Sequence, residues 1–468
     1  MAQTAKLLQD AIVAFGDGNL ARLRSLCKRV LAKEPCNADA HHLLGLASFR
    51  EGDVPSAISQ VRRALNFAPN HAEALNNLGF MLRSSGDLAA ARECFERAVA
   101  LRPQYLDALN NLGDIQRLMG EPALAAAVLE RALALAPSSL VIRNNLSLAY
   151  RDLKRYSDAI MQLQAALAGN PDHFETLHNL AYVLRDAGRF AEAAGQFEQL
   201  VPRVPEGPKR HAIWYALARL YMTLERFSDA RACFQRLLDA NPQNTSIRYW
   251  IDSLDHAARD RSPAEFVREL FDAHADSFDE QLLGRLNYGV PTLMVDALRA
   301  ELENAGPLDV LDLGCGTGLV GQALGPLAGR LVGIDLSPKM LEQASQRGYH
   351  RLIEGDLETA MAAEPAASFD LVTAGDVFVY LGNLDGVIDQ TRRLLRPNGC
   401  IAFSVERASG DHGYELHERG RFAHAAGYLD ELAQRHGFAS LRRDEIVPRR
   451  EGGKDVAGFL CLWRLDSR

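Results

Sequence analysis

The chain of 468 residues is 47% hydrophobic and 24% charged by count, which predicts roughly two to four globular domains and excludes collagen-like or largely disordered chains. A net charge of −8 with no Lys/Arg block makes nucleic acid and anionic membrane poor partners, and no apolar run approaches the ~20 residues of a membrane span. Seven scattered cysteines, none in a CxxC pair, argue against a disulfide framework or metal site and for a reducing, cytoplasmic compartment, and the first thirty residues lack a basic-then-apolar signal.

Charge divides the chain. Residues 1–258 hold 29 Lys+Arg against 27 Asp+Glu, a balance of +2, whereas residues 259–468 hold 23 against 33, a balance of −10. In the first stretch prolines recur at 35, 69, 103, 137, 171 and 205, a strict 34-residue period, with Pro242 three residues late. Leu44, Leu78, Leu112, Leu146 and Leu180 keep the same period, as do Ala57, Ala91, Ala125, Ala159 and Ala193. Gly52, Gly86, Gly120 and Gly188 mark one turn per unit, with Lys154 standing in once. Small residues let two helices approach, glycine permits the tight turn, and proline stops the second helix. The pattern predicts seven helix–turn–helix units over 1–242 and a capping helix at 245–258. Such a unit resembles the tetratricopeptide repeat, which implies a superhelix with a concave binding face.

Two polar columns follow that period on one helix face. Asn77, Asn111, Asn145 and Asn179 precede the periodic leucines, and Arg83, Arg117, Arg151 and Arg185 lie six residues further on. An amide offers both donor and acceptor to a peptide group. The Asn column is similar to the asparagine ladder of the O-linked N-acetylglucosamine transferases, and this resemblance implies a peptide held by its backbone. The arginines Arg83, Arg151 and Arg185 are expected to be free for an incoming segment bearing Asp or Glu. Asp114, three residues before Arg117, can satisfy that one internally, whereas neighbours at i, i+1 on a helix do not face each other. The opposing reading makes both columns inter-repeat stabilisers.

The second stretch reads as α/β. LDVLDLGCGTG (308–318) is a buried strand turning into a helix near Leu319, with Gly314, Gly316 and Gly318 allowing close approach of a ligand. The next strand ends at Asp335, placed to accept from ribose hydroxyls. Further strands end at Asp356 and Asp376, CIAFSVE (400–406) follows a turn, and FASLRRDEIV and VAGFLCLWRL supply the last two. Gly316, Gly318 and Gly321 also fit a dinucleotide fingerprint, but Asp312 would repel a pyrophosphate and attract a sulfonium with an ammonium group.

This constellation resembles the class I S-adenosylmethionine-dependent methyltransferases over about 265–468. The fold expected for the whole chain is an all-α tetratricopeptide-repeat superhelix (1–258) followed by a Rossmann-like domain with a seven-stranded mixed sheet (259–468). The resemblance implies that Asp312, Gly314 and Gly316 hold the methionine part of S-adenosylmethionine, with Gly318 closing the turn. It places Asp335 on the ribose, Leu336 and Met340 on the adenine, and Asp356 on its amino group beside Leu357. Asp376 would lie by the sulfonium and acceptor. AGDVFVYLG departs from the Asn/Asp-Pro-Pro-Tyr/Phe element of enzymes that methylate amino groups of DNA bases and glutamine. ELFDAHADSFDEQLLGRLNYGVP (269–291) and GRFAHAAGYLDELAQRHGF (420–438) are similar to bacterial methyltransferases containing tetratricopeptide repeats, implying a lid over 262–300 that carries Phe278 and Tyr288. An acceptor that loses a proton needs a base. His424 is the first choice because histidine titrates in the useful range, followed by Asp376 and Tyr380, with His412 and Tyr414 also in view. Cys315 reads as a small space-filler. Three functions follow: methylation of a protein recruited by the repeats, methylation of a small molecule or glycan oxygen with the repeats serving assembly, or a scaffold that has lost the activity, the last disfavoured because Asp312, the three glycines, Asp335 and Asp356 are all present.

Overall fold

The computed structural model describes residues 2–273, 275, 278–302, 306–451 and 453–466. They form two compact units, Met1–Glu206 and Gly207–Arg468.

The first unit is six helix pairs: α1 (Ala2–Gly16) with α2 (Leu20–Leu31), α3 (Ala38–Arg50) with α4 (Val54–Phe67), α5 (Ala72–Ser84) with α6 (Leu88–Leu101), α7 (Leu106–Leu118) with α8 (Pro122–Leu135), α9 (Leu140–Asp152) with α10 (Tyr156–Gly169), and α11 (Phe174–Asp186) with α12 (Phe190–Leu200). Each second helix of the first five pairs ends two to four residues before a periodic proline. Lys154 takes φ 59° where the other pairs of this unit place glycine, so in this unit one turn holds a side chain in the left-handed region. The periodic leucines and alanines are buried. A further periodic set escaped the sequence reading: Gly45, Gly79 and Gly113, with Ser147 and Ala181 at the same offset. A Cβ at Gly113 would stand 2.4 Å from Leu129 and one at Gly79 2.7 Å from Phe95, so these glycines set how closely the helices of a pair meet.

The second unit opens with the seventh pair, α13 (Pro208–Thr223) and α14 (Phe227–Ala240), and the capping helix α15 (Thr245–Leu254). These helices, which the repeat period groups with the solenoid, pack with the α/β domain. Tyr249 donates to or accepts from Ser262 at 2.7 Å and donates to the Gly420 carbonyl at 3.2 Å. After α16 (Ala264–Asp272), a π-helical segment (Glu280–Arg285) and α17 (Val290–Glu301) comes a sheet. Its strands are β1 (Leu308–Leu313), β2 (Ala328–Asp335), β3 (Arg351–Glu354), β4 (Phe369–Ala374), β5 (Leu395–Arg407), β6 (Tyr414–Leu416), β7 (Phe422–His424) and β8 (Phe438–Ile446). A small hairpin of β9 (Arg450–Glu451) and β10 (Lys454–Asp455) precedes β11 (Gly458–Leu465). The main path runs β3-β2-β1-β4-β5-β11-β8, parallel through β5 and antiparallel at β11 and β8. The short β6 and β7 add to the seven-stranded sheet at the end of β5. Alternate residues feed two cores: Leu311, Val332, Val372 and Phe403 on one face, Val310, Leu331, Leu371 and Ala402 on the other. Connection order reverses between β1 and β4, and there the strand ends leave a crevice.

Candidate active site

A cavity of about 310 Å³ lies at that crevice. The loop after β1 forms its floor. Gly314 has φ 59°, and a Cβ there would come within 2.3 Å of Val377, so no larger residue fits. Gly316 has φ 54° and a Cβ there would meet nothing within 4 Å, leaving open space beside its backbone. Gly318, at φ 94°, is the N-cap of the helix α18 (Leu319–Leu324) and closes the turn.

Asp335, at the end of β2, lines the cavity. Its Oδ2 accepts from the Gly316 N–H at 2.8 Å and its Oδ1 from the Ser337 N–H at 2.8 Å, and burial raises its pKa. Leu336, Asp356 and Leu357 continue the wall. Asp356 is paired with Arg261 at 2.5 Å. Phe278 and Tyr288 also line the cavity, and Phe271 joins Phe278 to Tyr380 through edge-to-face contacts at 5.7 and 5.5 Å. The chain before β1 is fastened over the glycine loop: Thr317 Oγ1 donates to Asp279 at 2.7 Å, Arg347 pairs with Asp279, and Ser337 Oγ donates to Asp272 at 2.5 Å. Residues 274, 276 and 277 of the expected lid lie outside the described residues.

Several expectations are corrected by this geometry. Asp312 does not line the cavity; it is 1% exposed beneath the loop, where Tyr349 Oη donates at 2.6 Å and Thr373 Oγ1 at 2.7 Å. Burial pushes its pKa up to about 6 against the pull of those two donors. Met340 is fully buried and absent from the lining, so of the three aliphatic residues expected at the adenine only Leu336 and Leu357 line the cavity. His424 is fully buried and absent from the lining. Its Nε2 faces the Gly382 carbonyl at 3.1 Å, its ring stacks on Tyr428, and its Nδ1 has no partner. Burial brings its pKa down to about 4, so the ring is neutral near pH 7. It holds the loop after β4 rather than a reacting proton. His412 and Tyr414 also fall outside the lining; the Tyr414 hydroxyl donates to Asp260 at 2.5 Å.

Asp376 does line the cavity, with its backbone at φ 58° at the end of β4. Both carboxylate oxygens accept from Arg449 Nη1, at 2.7 and 2.8 Å, so a buried guanidinium engages the carboxylate through both oxygens. Tyr380 lines the cavity as a neutral phenol, because burial raises its pKa. Cys315 is buried in the loop, and burial raises its thiol well above the ordinary value, so it fills space as expected.

The sequence reading missed four arginines in the lining: Arg219, Arg261, Arg421 and Arg449. Arg449 is 1% exposed and held by Asp376, Glu406 and Glu451; Arg421 pairs with Glu451. No motif announces them, since they come from segments far apart in the chain. Of RFAH (421–424) the arginine lines the cavity and the histidine does not.

In the repeat unit the expectation that Arg83, Arg151 and Arg185 are free is also corrected, whereas Arg117 does reach Asp114, at 3.5 Å. Arg83 pairs with Asp114 at 2.7 Å, Arg117 also with Asp152 at 3.3 Å, Arg151 with Asp186 at 2.6 Å and Arg185 with Asp186 at 2.8 Å. In the first three the partner sits on the next repeat, 31 or 35 residues on, a neighbour that reasoning within one helix omits. Arg185 reaches the adjacent Asp186 because a long guanidinium can fold back. The Asn column bonds likewise across repeats. Asn111, Asn145 and Asn179 donate to Asn76, Asn110 and Asn144 at 2.9, 2.8 and 3.1 Å, and Asn77 meets His42 at 2.9 Å. Among the described residues, the side-chain oxygens of Asn111, Asn145 and Asn179 accept nothing.

Among the described residues no group of His, Cys, Asp or Glu is placed to hold a metal ion, and no helix is long and apolar enough to cross a membrane. A family profile described as "Methyltransferase domain" matches residues 311–401, and tetratricopeptide-repeat profiles match 37–104, 70–138, 144–208 and 211–244. The chain is similar to a malonyl-[acyl-carrier protein] O-methyltransferase of Halalkalibacterium halodurans, 34% identical over 159 residues, 32% of this chain and 57% of that protein. It is similar to ubiquinone biosynthesis O-methyltransferases of Xanthomonas oryzae pv. oryzae (32% identical, 24% of this chain and 48% of that one) and Methylococcus capsulatus (30% identical, 37% and 73%). It spans about half the length of most such relatives, 57% and 48% in the first two. PilF of Pseudomonas aeruginosa, a solved structure, aligns with 45% of this chain and 95% of its own, at 21% identity and a TM-score of 0.41. The chain therefore belongs to the class I S-adenosylmethionine-dependent methyltransferases that carry tetratricopeptide repeats.

Proposed function

We propose that the protein methylates an oxygen atom of its acceptor at the expense of S-adenosylmethionine, and that the repeat groove holds a polypeptide that is the acceptor or carries it. The observation that carries the first part is the gathering of Gly314, Gly316, Asp335, Leu336, Asp356 and Leu357 around one cavity. The cavity suits the cofactor chemically: open space at Gly316, a carboxylate at the end of β2 and aliphatic side chains beyond it. When bound, S-adenosylmethionine supplies a methyl group on a positively charged sulfur. Asp335 would accept from the ribose hydroxyls, Leu336 and Leu357 would cover the adenine, and Asp356 would take its amino group on release from Arg261. Phe278, Tyr288 and Tyr380 exclude water and align the acceptor, the main contributions such a displacement asks of a protein. The Asn column supports the polypeptide: each amide spends one N–H on its neighbour and keeps an unused oxygen for a peptide N–H.

A second reading, a small-molecule or glycan acceptor with the repeats serving assembly, is favoured by the bonding of both polar columns within the array. The relatives' names, which concern a malonylated carrier protein and ubiquinone biosynthesis, cover both kinds of acceptor. Incubation of the full chain with methyl-labelled cofactor and fractionated lysate separates the readings. Label in macromolecules supports the polypeptide, label in extractable small molecules supports the second reading, and label in neither overturns methyl transfer.

A further inference from the structure

Three of the four cavity arginines are neutralised: Arg261 by Asp356, Arg421 by Glu451, and Arg449 by three carboxylates. Arg219 is different. It comes from α13, the first helix of the seventh repeat, and among the described residues no carboxylate reaches it. Its guanidinium rests 4.7 Å from the centroid of the Trp250 ring, and burial, with a smaller contribution from the nearby Arg421, lowers its pKa. A cation held beside an aliphatic and aromatic wall, facing a second cation, is unfavourable until an anion arrives.

None of the side chains weighed as a base for a hydroxyl substrate stands in the lining as an unpaired proton acceptor. His424 is buried elsewhere, both oxygens of Asp376 are taken by Arg449, and Tyr380 is a neutral phenol. An acceptor that arrives already ionised needs no base.

We infer that the methyl acceptor is a carboxylic acid bound as its carboxylate, and that Arg219, supplied by the last repeat, holds it in the cavity beside Arg421 and Tyr380. This rests on the methyl-transfer reading above. In the step, a carboxylate oxygen forms a bond to the methyl carbon while that carbon's bond to sulfur breaks, the electron pair staying on sulfur. The acid becomes a neutral ester and no proton moves. The repeats then contribute to the acceptor site itself, through one side chain.

The test uses the full chain and two probes of one shape, hexanoate and hexanamide, followed by tryptophan fluorescence, since Trp250 stacks on Arg219 and the chain has 3 tryptophans. Hexanoate should perturb the emission saturably and hexanamide should not. Arg219→Gln should weaken hexanoate by about tenfold or more, Arg219→Lys less, with S-adenosylmethionine affinity by calorimetry unchanged in both. Equal response to the two probes, or undiminished hexanoate binding in Arg219→Gln, overturns the inference. A fall in cofactor affinity instead assigns Arg219 to the cofactor and also overturns it. In the labelled-lysate assay, mild alkali should release the label as methanol. Alkali-stable label refutes the carboxylate acceptor while leaving methyl transfer standing, and absence of any label refutes methyl transfer alone, because the hexanoate titration still decides the site.

Discussion

Polar residues are satisfied in opposite ways in the repeat array and in the methyltransferase domain. In the array, Asn145 finds Asn110 and Arg151 finds Asp186, both 35 residues away, and the same offset recurs from repeat to repeat. In the domain, Asp376 finds Arg449 across 73 residues, and Arg449 then collects Glu406 and Glu451 with no repeating offset. Periodicity therefore lets a sequence reader anticipate contacts in the first region once the next repeat is considered. In the second, a partner is visible only when the sheet has been assembled.

The comparison predicts unequal sensitivity to losing one charge. Arg449 is 1% exposed and balances three carboxylates, so Arg449→Met should destabilise the second unit by about 3–5 kcal/mol, the range for breaking a buried pair. Urea unfolding of the full chain, followed by Trp463 emission in the buried core, measures it. A loss below about 1 kcal/mol would mean that the three carboxylates find other partners. Next in size is the cofactor contact. Asp335→Ala should weaken S-adenosylmethionine by about 2–4 kcal/mol, two charge-assisted hydrogen bonds being worth that much. Calorimetry giving the wild-type affinity would remove Asp335 from the site.

The glycine loop, Asp335 at the end of β2 and Asp356 just past β3 were legible because turning a strand into a helix around a ligand demands particular residue types at short spacing. Asp312, Met340 and His424 misled because residue type alone does not say which side of a strand or loop a side chain takes. Asp312 belongs to β1 and is turned under the loop to Tyr349 and Thr373. His424 pairs along β7 into the layer containing Tyr428. Arg219 was hidden for another reason: its helix reads correctly as a repeat helix, and repeat periodicity carries no information about what a final repeat faces.

His424 gives the third test. With its pKa down at about 4, the unfolded chain takes up a proton between about pH 6.5 and 4 that the native chain does not. Its contribution to stability is thus complete above pH 6.5 and is lost as the pH falls through that window, about 2 kcal/mol by pH 5. His424→Phe should remove that part of the acid sensitivity relative to wild type and leave methyl transfer within a few-fold. A rate loss of 10²–10⁴ or so, the usual effect of deleting a general base, would restore it to the catalytic machinery.

The smallest effects belong to the repeat columns, and they discriminate between structure and recognition. Arg151 and Asp186 are both partly exposed, with 30% and 22% of their side-chain surface open, so Arg151→Ala should cost no more than about 1 kcal/mol. Asn145 is half-buried and donates to Asn110, and Asn145→Ala leaves the Asn110 oxygen without its donor, a loss of about 1 kcal/mol and no larger because water can reach the site. Stability alone would therefore rank the two substitutions together. A bound polypeptide would not. If the unused oxygens of Asn111, Asn145 and Asn179 take peptide N–H groups, replacing all four column asparagines by alanine should abolish retention of a polypeptide by the full chain, whereas replacing the four column arginines should leave it nearly unchanged, because their charges are already spent on Asp114, Asp152 and Asp186. Binding in the asparagine variant should vanish at low and high salt alike, since a hydrogen-bonded peptide backbone carries no net charge to screen. Equal retention by the asparagine variant and the wild type would make the column an inter-repeat fastener and leave the small-molecule acceptor as the stronger reading.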